Sequence, residues 1–307
     1  MRDADLPAPP IYPRDHRTKG ARCIQADTHL LRSGFILLYD GKVEFLKKSC
    51  LQVKIPRFQR GILFCVKGEM RMEGWLDRQK LLLGEEACRK LAAARVAVVG
   101  LGGVGGACVE GLCRAGVGAL LLMDHDTVDL TNLNRQLLAT RATLGISKAQ
   151  AAKERVLSIN PDCEAAALPL FYGEETSEQL FSFRPDYVVD CIDNVTAKLH
   201  LAVRCRERGV PLLMALGTGN RLDPSAFRIG TIEETAQNGA GCGLARVMRR
   251  ELKKRGIAGQ KVLYSLEPAA KTVLEDGGRY APGSLSVCPP AAGFLMASQV
   301  IREIGEF

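Results

Sequence analysis

The stretch Val96–Gly105, VAVVGLGGVG, joins a short apolar run to a cluster of glycines. A short apolar run that ends in glycine is typical of a buried strand. The glycines, at positions 100, 102, 103 and 105, precede a helical pattern, and such a loop exposes backbone N–H groups to a phosphate. The stretch therefore predicts a strand, loop and helix that hold either the pyrophosphate of a redox dinucleotide or the triphosphate of ATP.

Strand-like and helix-like segments alternate along the chain from Met72 onward. This alternation predicts an α/β fold, a Rossmann-like, doubly wound and mostly parallel sheet with helices on both faces. The predicted helices have the sequences LDRQKLLLGEEACRKLAAA, GGACVEGLCRAGV and GISKAQAAKERVLSINP, and the predicted strands have the sequences RVAVVG, ALLLMDHD and DYVVDCID. The second half adds the strand-like segments VPLLMALG, AFRIGTIEE and KVLYSLEP, a basic helix near 244–255 and a closing helix from about 289 to 304.

The first 71 residues differ from the rest in their hydrophobic pattern, which has no sustained helical or strand periodicity, and in charge. They hold 14 Lys and Arg against 7 Asp and Glu, whereas residues 72–307 hold 28 against 27, so the net charge of +8 does not identify a partner of the main body. The domain prediction is therefore a poorly ordered leader or upstream extension over 1–71, and an ATP-binding domain with a C-terminal substrate-facing region over 72–307. A wrongly assigned start is an alternative, because Met70 and Met72 stand at the boundary. A basic arm that touches RNA is another.

Composition excludes two classes of protein. No apolar run reaches the roughly 18 residues of a membrane span, and the acidic, proline-containing N-terminus lacks the pattern of a secretory signal, so we expect a cytoplasmic protein without a membrane anchor. The 11 cysteines include no CxxC pair, which excludes a zinc site built from two such pairs. We expect reduced, buried thiols at positions 108, 113, 163, 191 and 205.

The residues after the glycines favour ATP over a dinucleotide. Asp124 ends the second strand, where a ribose hydroxyl could be held, and a dehydrogenase would share this feature. A dehydrogenase is not expected to continue with Asn132 and Arg135 in DLTNLNRQ, Lys148 in GISKAQ and Asp193 in DCIDN. A carboxylate that attacks the α-phosphate of ATP needs fixed cations and a metal ligand near the developing charge. Arg135 and Lys148 supply the cations, and Asp193 supplies the ligand for Mg²⁺. Taken singly, the two cations could be solvated surface charges and Asp193 could be a helix N-cap before VTAKLH, but their ordered series after the glycines favours the ATP site.

These segments resemble the ATP-binding domain of the ubiquitin-activating-enzyme-like superfamily that contains ThiF, MoeB and HesA. The resemblance covers residues 72–307 and implies an ATP and magnesium site and a homodimer. It assigns the site to Gly103, Asp124, Asn132, Arg135, Lys148, Asp193 and Asn194, and it implies that Arg78 in LDRQKLLLG reaches the γ-phosphate in the partner subunit's site.

Three features resemble the tRNA threonylcarbamoyladenosine dehydratase branch of that superfamily. They are the missing CxxC pairs, the segment LGTGNRLDPSAFRI, and the segment GLARVMRRELKKRGI before VLYSLEP. The resemblance implies that ATP activates the threonyl carboxylate of the modified adenosine beside the anticodon, and that the carbamoyl group closes a ring with net loss of water. No enzymic thiol is required, so Cys242 is interpreted as a loop thiol. A sulfur-transfer or electron-transfer protein partner stays open.

The basic helix near 244–255 supports an RNA substrate. Leu244, Val247, Met248 and Leu252 form an apolar stripe, and basic residues recur on another face, five of the six without an acidic neighbour at helical spacing. The predicted RNA contacts are Arg246, Arg249, Arg250 and Lys253. A solvated face is the alternative.

Two rival functions stay open. An adenylyltransferase that activates the C-terminal glycine of a ubiquitin-like sulfur carrier would use the same ATP residues and a different acceptor. A non-catalytic RNA-binding or scaffold protein would lack ATP binding.

Overall fold

The computed structural model describes residues 35–39, 42–46, 62–64, 74–237, 242–270, 273–276 and 279–307. The chain divides into two compact units, Met1–Met72 and Glu73–Phe307. In the first unit, an antiparallel sheet has the strand order β2-β1-β3, where the strands are β1 (Phe35–Tyr39), β2 (Lys42–Leu46) and β3 (Ile62–Phe64). The leader prediction included no strands in this segment, and the remainder of residues 1–71 lies outside the described residues.

The second unit is an α/β fold around a seven-stranded, mostly parallel sheet, as predicted. Its strands are β4 (Arg95–Val99), β5 (Ala119–Met123), β6 (Glu164–Leu168), β7 (Tyr187–Asp190), β8 (Leu212–Ala215), β9 (Phe227–Thr231) and β10 (Lys261–Ser265). Its helices are α1 (Asp77–Ala93), α2 (Gly103–Arg114), α3 (Lys148–Ile159), α4 (Ser177–Ser182), α5 (Val195–Arg208), α6 (Glu234–Gln237), α7 (Gly243–Lys254) and α8 (Cys288–Gly305). The hairpin of β11 (Val273–Asp276) and β12 (Arg279–Pro282) stands apart from this sheet.

The strand order β6-β5-β4-β7-β8-β10-β9 explains where a ligand can bind. The chain winds outward from β4 through β5 to β6, then crosses over to β7 on the other side of β4. Ligands of doubly wound sheets bind outside the carboxyl ends of the strands at this change of direction. Only the pairing of β9 with β10 is antiparallel, so the carboxyl ends of β4, β5, β7 and β8 share one edge.

Alternate residues of the central strand pack on opposite faces of the sheet. Val96 and Val98 of β4 join a core with α1, α2, α3 and α8, whereas Ala97 and Val99 join a core with α4, α5 and α7. A strand buried on both faces has to be apolar at every position, which is why RVAVV is a continuous apolar run after its first residue. Among the described residues, no helix has the length and apolar character needed to cross a membrane.

Candidate functional site

The loop between β4 and α2 presents free backbone N–H groups. The helix begins at Gly103, and no side chain caps its N-terminus at Gly102. The Leu101 N–H donates to Asp124 Oδ2 at 2.6 Å, which fixes the loop to the end of β5. Because an uncapped helix N-terminus has unsatisfied N–H groups and a partial positive charge, this loop can bind phosphate.

The glycines of this loop have different physical roles. Gly100 has a φ of 87°, and a Cβ atom there would lie 2.6 Å from the Cys191 carbonyl oxygen. A Cβ atom at Gly105 would lie 1.7 Å from the Gly100 carbonyl oxygen, because α2 starts so close to the strand end. A Cβ atom at Gly102 would meet only Gln136 Nε2, at 3.9 Å. Glycine at position 102 therefore leaves room for a ligand beside the loop, whereas glycine at position 105 allows α2 to start close to the end of the strand.

Substitution by alanine should separate these two roles. Gly105→Ala is expected to lower the free energy of unfolding by about 1–3 kcal/mol or more, because the new methyl group overlaps a backbone carbonyl. Gly102→Ala is expected to leave the melting temperature unchanged and to raise the KM for ATP. Thermal unfolding and an ATP titration of both variants check the pair. Equal losses of stability would contradict the distinction between the two positions.

A cavity of about 630 Å³ opens beside this loop, a volume suitable for a small-molecule ligand. Its walls come from the carboxyl ends of β4, β5, β7 and β8, where the strand order predicts a ligand. The residues predicted for the nucleotide site that line it are Gly100, Gly102, Gly103, Asp124, Asn132, Arg135, Lys148 and Asp193. Gly105 does not line it, so most but not all of the predicted site surrounds one cavity.

Lys148 is the first residue of α3 and is 6% exposed. Its Nζ atom lies 2.7 Å from Asp126 Oδ2, a partner that the sequence analysis did not identify. Burial opposes the charge of Asp126, but the hydrogen bond and charge of Lys148 outweigh this effect, and the pKa of the Asp126 carboxyl is lowered. Asp126 therefore holds the Lys148 side chain at the cavity wall.

Asp124 supports the loop and also lines the cavity. Its Oδ1 atom accepts the N–H of Asp126 at 2.8 Å, and its Oδ2 atom accepts the N–H of Leu101. Each carboxylate oxygen can accept a second hydrogen bond. A ribose hydroxyl bound there stays a prediction.

A short helical turn, Leu130–Asn132, positions Arg135. Asp129 and Asn132 cap this turn reciprocally, since Asn132 Oδ1 accepts the Asp129 N–H at 3.2 Å. Nη1 of Arg135 donates to the Thr131 carbonyl oxygen at 2.8 Å and to Asn134 Oδ1 at 2.9 Å. Asn132 thus organises the turn, and the half-buried guanidinium group of Arg135 is held against the cavity.

Asp193 and Asn194 follow β7 but face different surroundings. Asn194 Oδ1 accepts the Ala197 N–H at 3.0 Å and caps α5, and Asn194 does not line the cavity. The helix cap considered as an alternative role for Asp193 is therefore wrong. The Asp193 carboxylate is exposed and lines the cavity, and it makes no hydrogen bond or ion pair with a described residue. It is available to a ligand or a metal ion.

The donor chemistry at this cavity fits a magnesium ion. Mg²⁺ usually binds one or two carboxylates together with phosphate oxygens and water. Asp193 offers such a carboxylate on one wall. Asp124, His125 and Asp126 form another group on the opposite wall, with ligand atoms within 4.8 Å of one another. Because Asp126 is paired with Lys148, Asp193 is the residue that would hold the ion.

The structure adds residues that the sequence analysis missed. His125 and Phe171 line the cavity, and their rings meet edge to face with centroids 5.1 Å apart. Arg221 is 2% exposed, and its Nε and Nη1 atoms have no hydrogen-bond partner among the described residues. It follows Gly219, which lines the cavity, by two residues. The repeated acids around His125 were a usable sequence pattern, whereas nothing in the local sequence distinguishes Phe171 or Arg221.

Arg78 is exposed on the first turn of α1 and does not line the cavity of its own chain. Its contact with a partner subunit's site stays a prediction.

The statement that five of the six basic residues near α7 lack an acidic neighbour is wrong. Glu251 accepts hydrogen bonds from Arg255 at 3.0 Å, from Lys254 at 3.1 Å and from Arg250 at 3.0 Å. These bonds lower the pKa of Glu251 to about 2. Glu251 lies three residues before Lys254 and four residues before Arg255, which is helical spacing.

The four predicted RNA contacts on α7 are not equivalent. Arg249 is half-buried, and its Nη1 atom donates to Thr235 Oγ1 at 2.7 Å, which ties α7 to α6. Arg250 forms an exposed ion pair, which is a weak interaction. Arg246 and Lys253 are exposed, and their side chains form no ion pair or hydrogen bond with a described residue. Of the predicted apolar stripe, Met248 and Leu252 are fully buried, whereas Leu244 and Val247 are partly exposed.

The cysteine thiols in the core are in surroundings that disfavour the reactive thiolate. Burial raises the pKa of Cys205 to about 12 and is the main cause that raises those of Cys113 and Cys163 to about 11. Cys108 is also fully buried, whereas Cys191 is partly exposed. Cys242 is a buried thiol at the start of α7, beside Gly217 of the cavity wall.

The fold and this cavity define a nucleotide-binding protein, and comparison with known families identifies which kind. The model of the ThiF family matches residues 76–306, and the chain belongs to this family. The tRNA threonylcarbamoyladenosine dehydratase of Bacillus subtilis (strain 168) is 39% identical over 241 residues, which cover 74% of this chain and 93% of that protein.

Solved structures agree with this assignment. Crystal structures of E. coli tRNA N6-threonylcarbamoyladenosine dehydratase, TcdA, in complex with ATP and with AMP are 31% identical, with TM-scores of 0.67 and 0.68. Both cover 76% of this chain and 96% of that protein. The molybdopterin-synthase adenylyltransferase of Salmonella typhimurium is 39% identical over 139 residues, but these cover 45% of this chain and 55% of that protein. The likeness to the dehydratases is thus the more extensive one.

Proposed function

We propose that this protein is an ATP-dependent tRNA threonylcarbamoyladenosine dehydratase. It activates the threonyl carboxylate of threonylcarbamoyladenosine beside the anticodon, and the carbamoyl group then closes a ring with net loss of water. The observation that carries this proposal is the cavity, where an uncapped helix N-terminus, two cations and a free carboxylate surround a volume suitable for a nucleotide. Relatives that match nearly the whole of the second unit support the substrate.

The charges around the cavity suit adenylation of a carboxylate. A carboxylate oxygen attacks the α-phosphorus and pyrophosphate leaves, so negative charge accumulates on the phosphates. The N–H groups of α2, the Lys148 ammonium and the Arg135 guanidinium are held in place before the reaction and stabilise that charge. The carbamoyl group then attacks the acyl carbon, and AMP leaves with the former carboxylate oxygen.

Magnesium fits the same scheme. Asp193 would hold the ion, which supplies positive charge to the phosphate oxygens. This protein contributes the Asp193 carboxylate, which lies on the cavity wall without a described side chain as its partner.

The products test the proposed chemistry. We expect AMP and pyrophosphate, formed only when the added tRNA carries threonylcarbamoyladenosine. ADP and phosphate would instead indicate phosphorylation of the carboxylate. Adenylation of a carrier peptide's C-terminal glycine, without a reaction on tRNA, would support the sulfur-carrier alternative.

A basic surface on α7 is proposed to bind the tRNA backbone. Arg246, Arg250 and Lys253 point away from the core formed by Met248 and Leu252, so phosphates can reach them. Phosphate contacts position a nucleic acid without specifying its sequence.

Replacement of these side chains by alanine should weaken binding of all substrate tRNAs alike. Each lost phosphate contact is expected to reduce the slope of log affinity against log salt by about one unit or slightly less. The matched control is Arg249→Ala, which should change the slope less and the thermal stability more, because Arg249 bonds to Thr235. Filter binding at several salt concentrations measures the slopes. An unchanged slope in the triple variant of Arg246, Arg250 and Lys253 would leave α7 as a solvated face.

A homodimer is proposed from exposed apolar side chains on two helices. Leu81 and Leu82 on α1 are 60% and 83% exposed, and Phe294 on α8 is 45% exposed. The two helices pack against each other in the second unit. Exposed apolar surface of this kind marks protein interfaces. With α1 at such an interface, its residue Arg78 would reach the site of the partner subunit. Light scattering measures the dimer, and a monomer at micromolar concentration would contradict it.

We also propose a cytoplasmic location.

The segment 1–71 is proposed to be dispensable, so a chain that begins at Met72 should fold and keep its activity. The main core and the whole cavity belong to the second unit. Expression, thermal unfolding and turnover of the shortened chain check this. An insoluble or inactive short chain, beside an active full-length protein, would show that the segment is needed.

A further inference from the structure

A fully buried ion pair lies beneath the cavity. Lys198 of α5 and Asp190 at the end of β7 are both 0% exposed, and Lys198 Nζ lies 2.9 Å from Asp190 Oδ2. The same ammonium group donates to the Ala215 carbonyl oxygen at 2.7 Å and to the Ile192 carbonyl oxygen at 3.0 Å. Two of its N–H donors therefore have carbonyl acceptors, and the Asp190 carboxylate lies within ion-pair distance.

These acceptors lie at the strand ends that form the site. Ala215 ends β8, and both Ala215 and Ile192 line the cavity. The Ile192 carbonyl belongs to the peptide bond that precedes Asp193. Asp190 Oδ1 accepts the Ile192 N–H at 2.9 Å, so both members of the ion pair hold the turn 190–193 from inside.

The same turn supports the phosphate loop. The Cys191 N–H donates to the Val99 carbonyl oxygen at 2.8 Å, and the Cys191 carbonyl oxygen is the atom that a Cβ at Gly100 would meet at 2.6 Å. A displacement of the turn would therefore move Asp193 and press on Gly100.

Stability alone is a poor explanation for this pair. Transfer of two charges out of water often costs more than their attraction returns, and apolar replacements of similar shape are often equally stable. Burial raises the pKa of Asp190 even though the charge and hydrogen bond of Lys198 oppose the change. The apolar core nearby shows that uncharged packing is available in this layer.

We propose that Lys198 is a positioning residue for the magnesium–nucleotide site. Its ammonium group fixes the peptide bond before Asp193 and the end of β8, so that the Asp193 carboxylate and the phosphate loop face the same phosphates. The inference rests on the proposed function, in which Asp193 holds the metal ion. Groups that orient a metal ligand typically change metal affinity or activity by about 10- to 100-fold when they are removed.

The test compares three variants of the full-length protein. Lys198→Met removes the ammonium group, and the double variant Asp190→Asn/Lys198→Met also removes the buried negative charge that would otherwise lose its partner. The control is Lys261→Met, which breaks an ion pair with Glu303 at the opposite end of the sheet. For each protein, binding of a fluorescent ATP analogue is titrated with and without Mg²⁺, Mn²⁺ binding is followed by electron paramagnetic resonance, and thermal unfolding is recorded.

We expect the folded double variant to lose much more affinity for the analogue in the presence of Mg²⁺ than in its absence. Its metal affinity and its kcat should each fall by about 10- to 100-fold, whereas Lys261→Met should keep both. If Lys198→Met does not fold, the double variant carries the test. A folded double variant with wild-type Mn²⁺ binding and kcat would overturn the inference and leave the proposed function standing. A wild-type protein that binds no ATP analogue at all would overturn the proposed function itself.

Discussion

Replacement of Lys148 by alanine is expected to lower kcat by about 10²- to 10³-fold, the loss typical for one preorganised group at the developing charge of a transition state. The ammonium group is held at the cavity wall by Asp126, at 2.7 Å, before any ligand arrives. Its charge is therefore placed without reorganisation during the reaction. Steady-state kinetics with tRNA and ATP measure the effect.

Two further variants separate charge from packing. Lys148→Met keeps most of the buried aliphatic chain and should lose as much activity as Lys148→Ala, with a smaller change in melting temperature. Lys153→Ala, on the same helix and outside the cavity, should have nearly wild-type kcat. Near-normal turnover by Lys148→Met would show that the charge of Lys148 is not used in the reaction.

Replacement of Asp193 by alanine is expected to lower kcat/KM by a similar factor of about 10² or more, because the variant lacks the carboxylate that would hold Mg²⁺. The loss should be partly reversed at high Mg²⁺ concentration. Since the side chain is exposed and unpaired among the described residues, the melting temperature should not change. A magnesium titration of the reaction rate measures the effect.

The control for Asp193 is Asp162→Ala, an exposed aspartate in the turn after α3 that does not line the cavity. It should have normal turnover and normal magnesium dependence. If Asp193→Ala had the same magnesium dependence as wild type, the metal ion would have to be held elsewhere. The group of Asp124, His125 and Asp126 would then be the next candidate.

Much of the fold could be predicted because its central strands, β4, β5, β7 and β8, are buried on both faces. A run such as VAVV in β4 has to be apolar throughout, and the glycines mark its end. In contrast, β6 has the sequence EAAAL, whose alanines have little intrinsic preference for a strand, and pairing with β5 places it in the sheet. The antiparallel direction of β9 results from its pairing with β10, so no local sequence pattern of β9 predicts it.

The candidate site was predictable where charged residues follow strand ends. Lys148, Arg135 and Asp193 were predicted because their chemistry suits a polyanion and their order follows the strands. Their supporting contacts were not, because Asp126 and Lys148 are distant in sequence and meet only in the folded chain. Lys198 looks like an ordinary helix residue in VTAKLH, and only its complete burial distinguishes it.

The most direct test of the proposed reaction is mass analysis of tRNA nucleosides. Purified tRNA that carries threonylcarbamoyladenosine would be incubated with the protein, ATP and Mg²⁺, then digested and compared with a reaction that contains the Lys148→Ala variant. The account predicts a nucleoside lighter by the mass of one water with the wild-type protein, together with AMP and pyrophosphate, and little of it with the variant. Unchanged threonylcarbamoyladenosine in the presence of a folded, ATP-binding wild-type protein would contradict it.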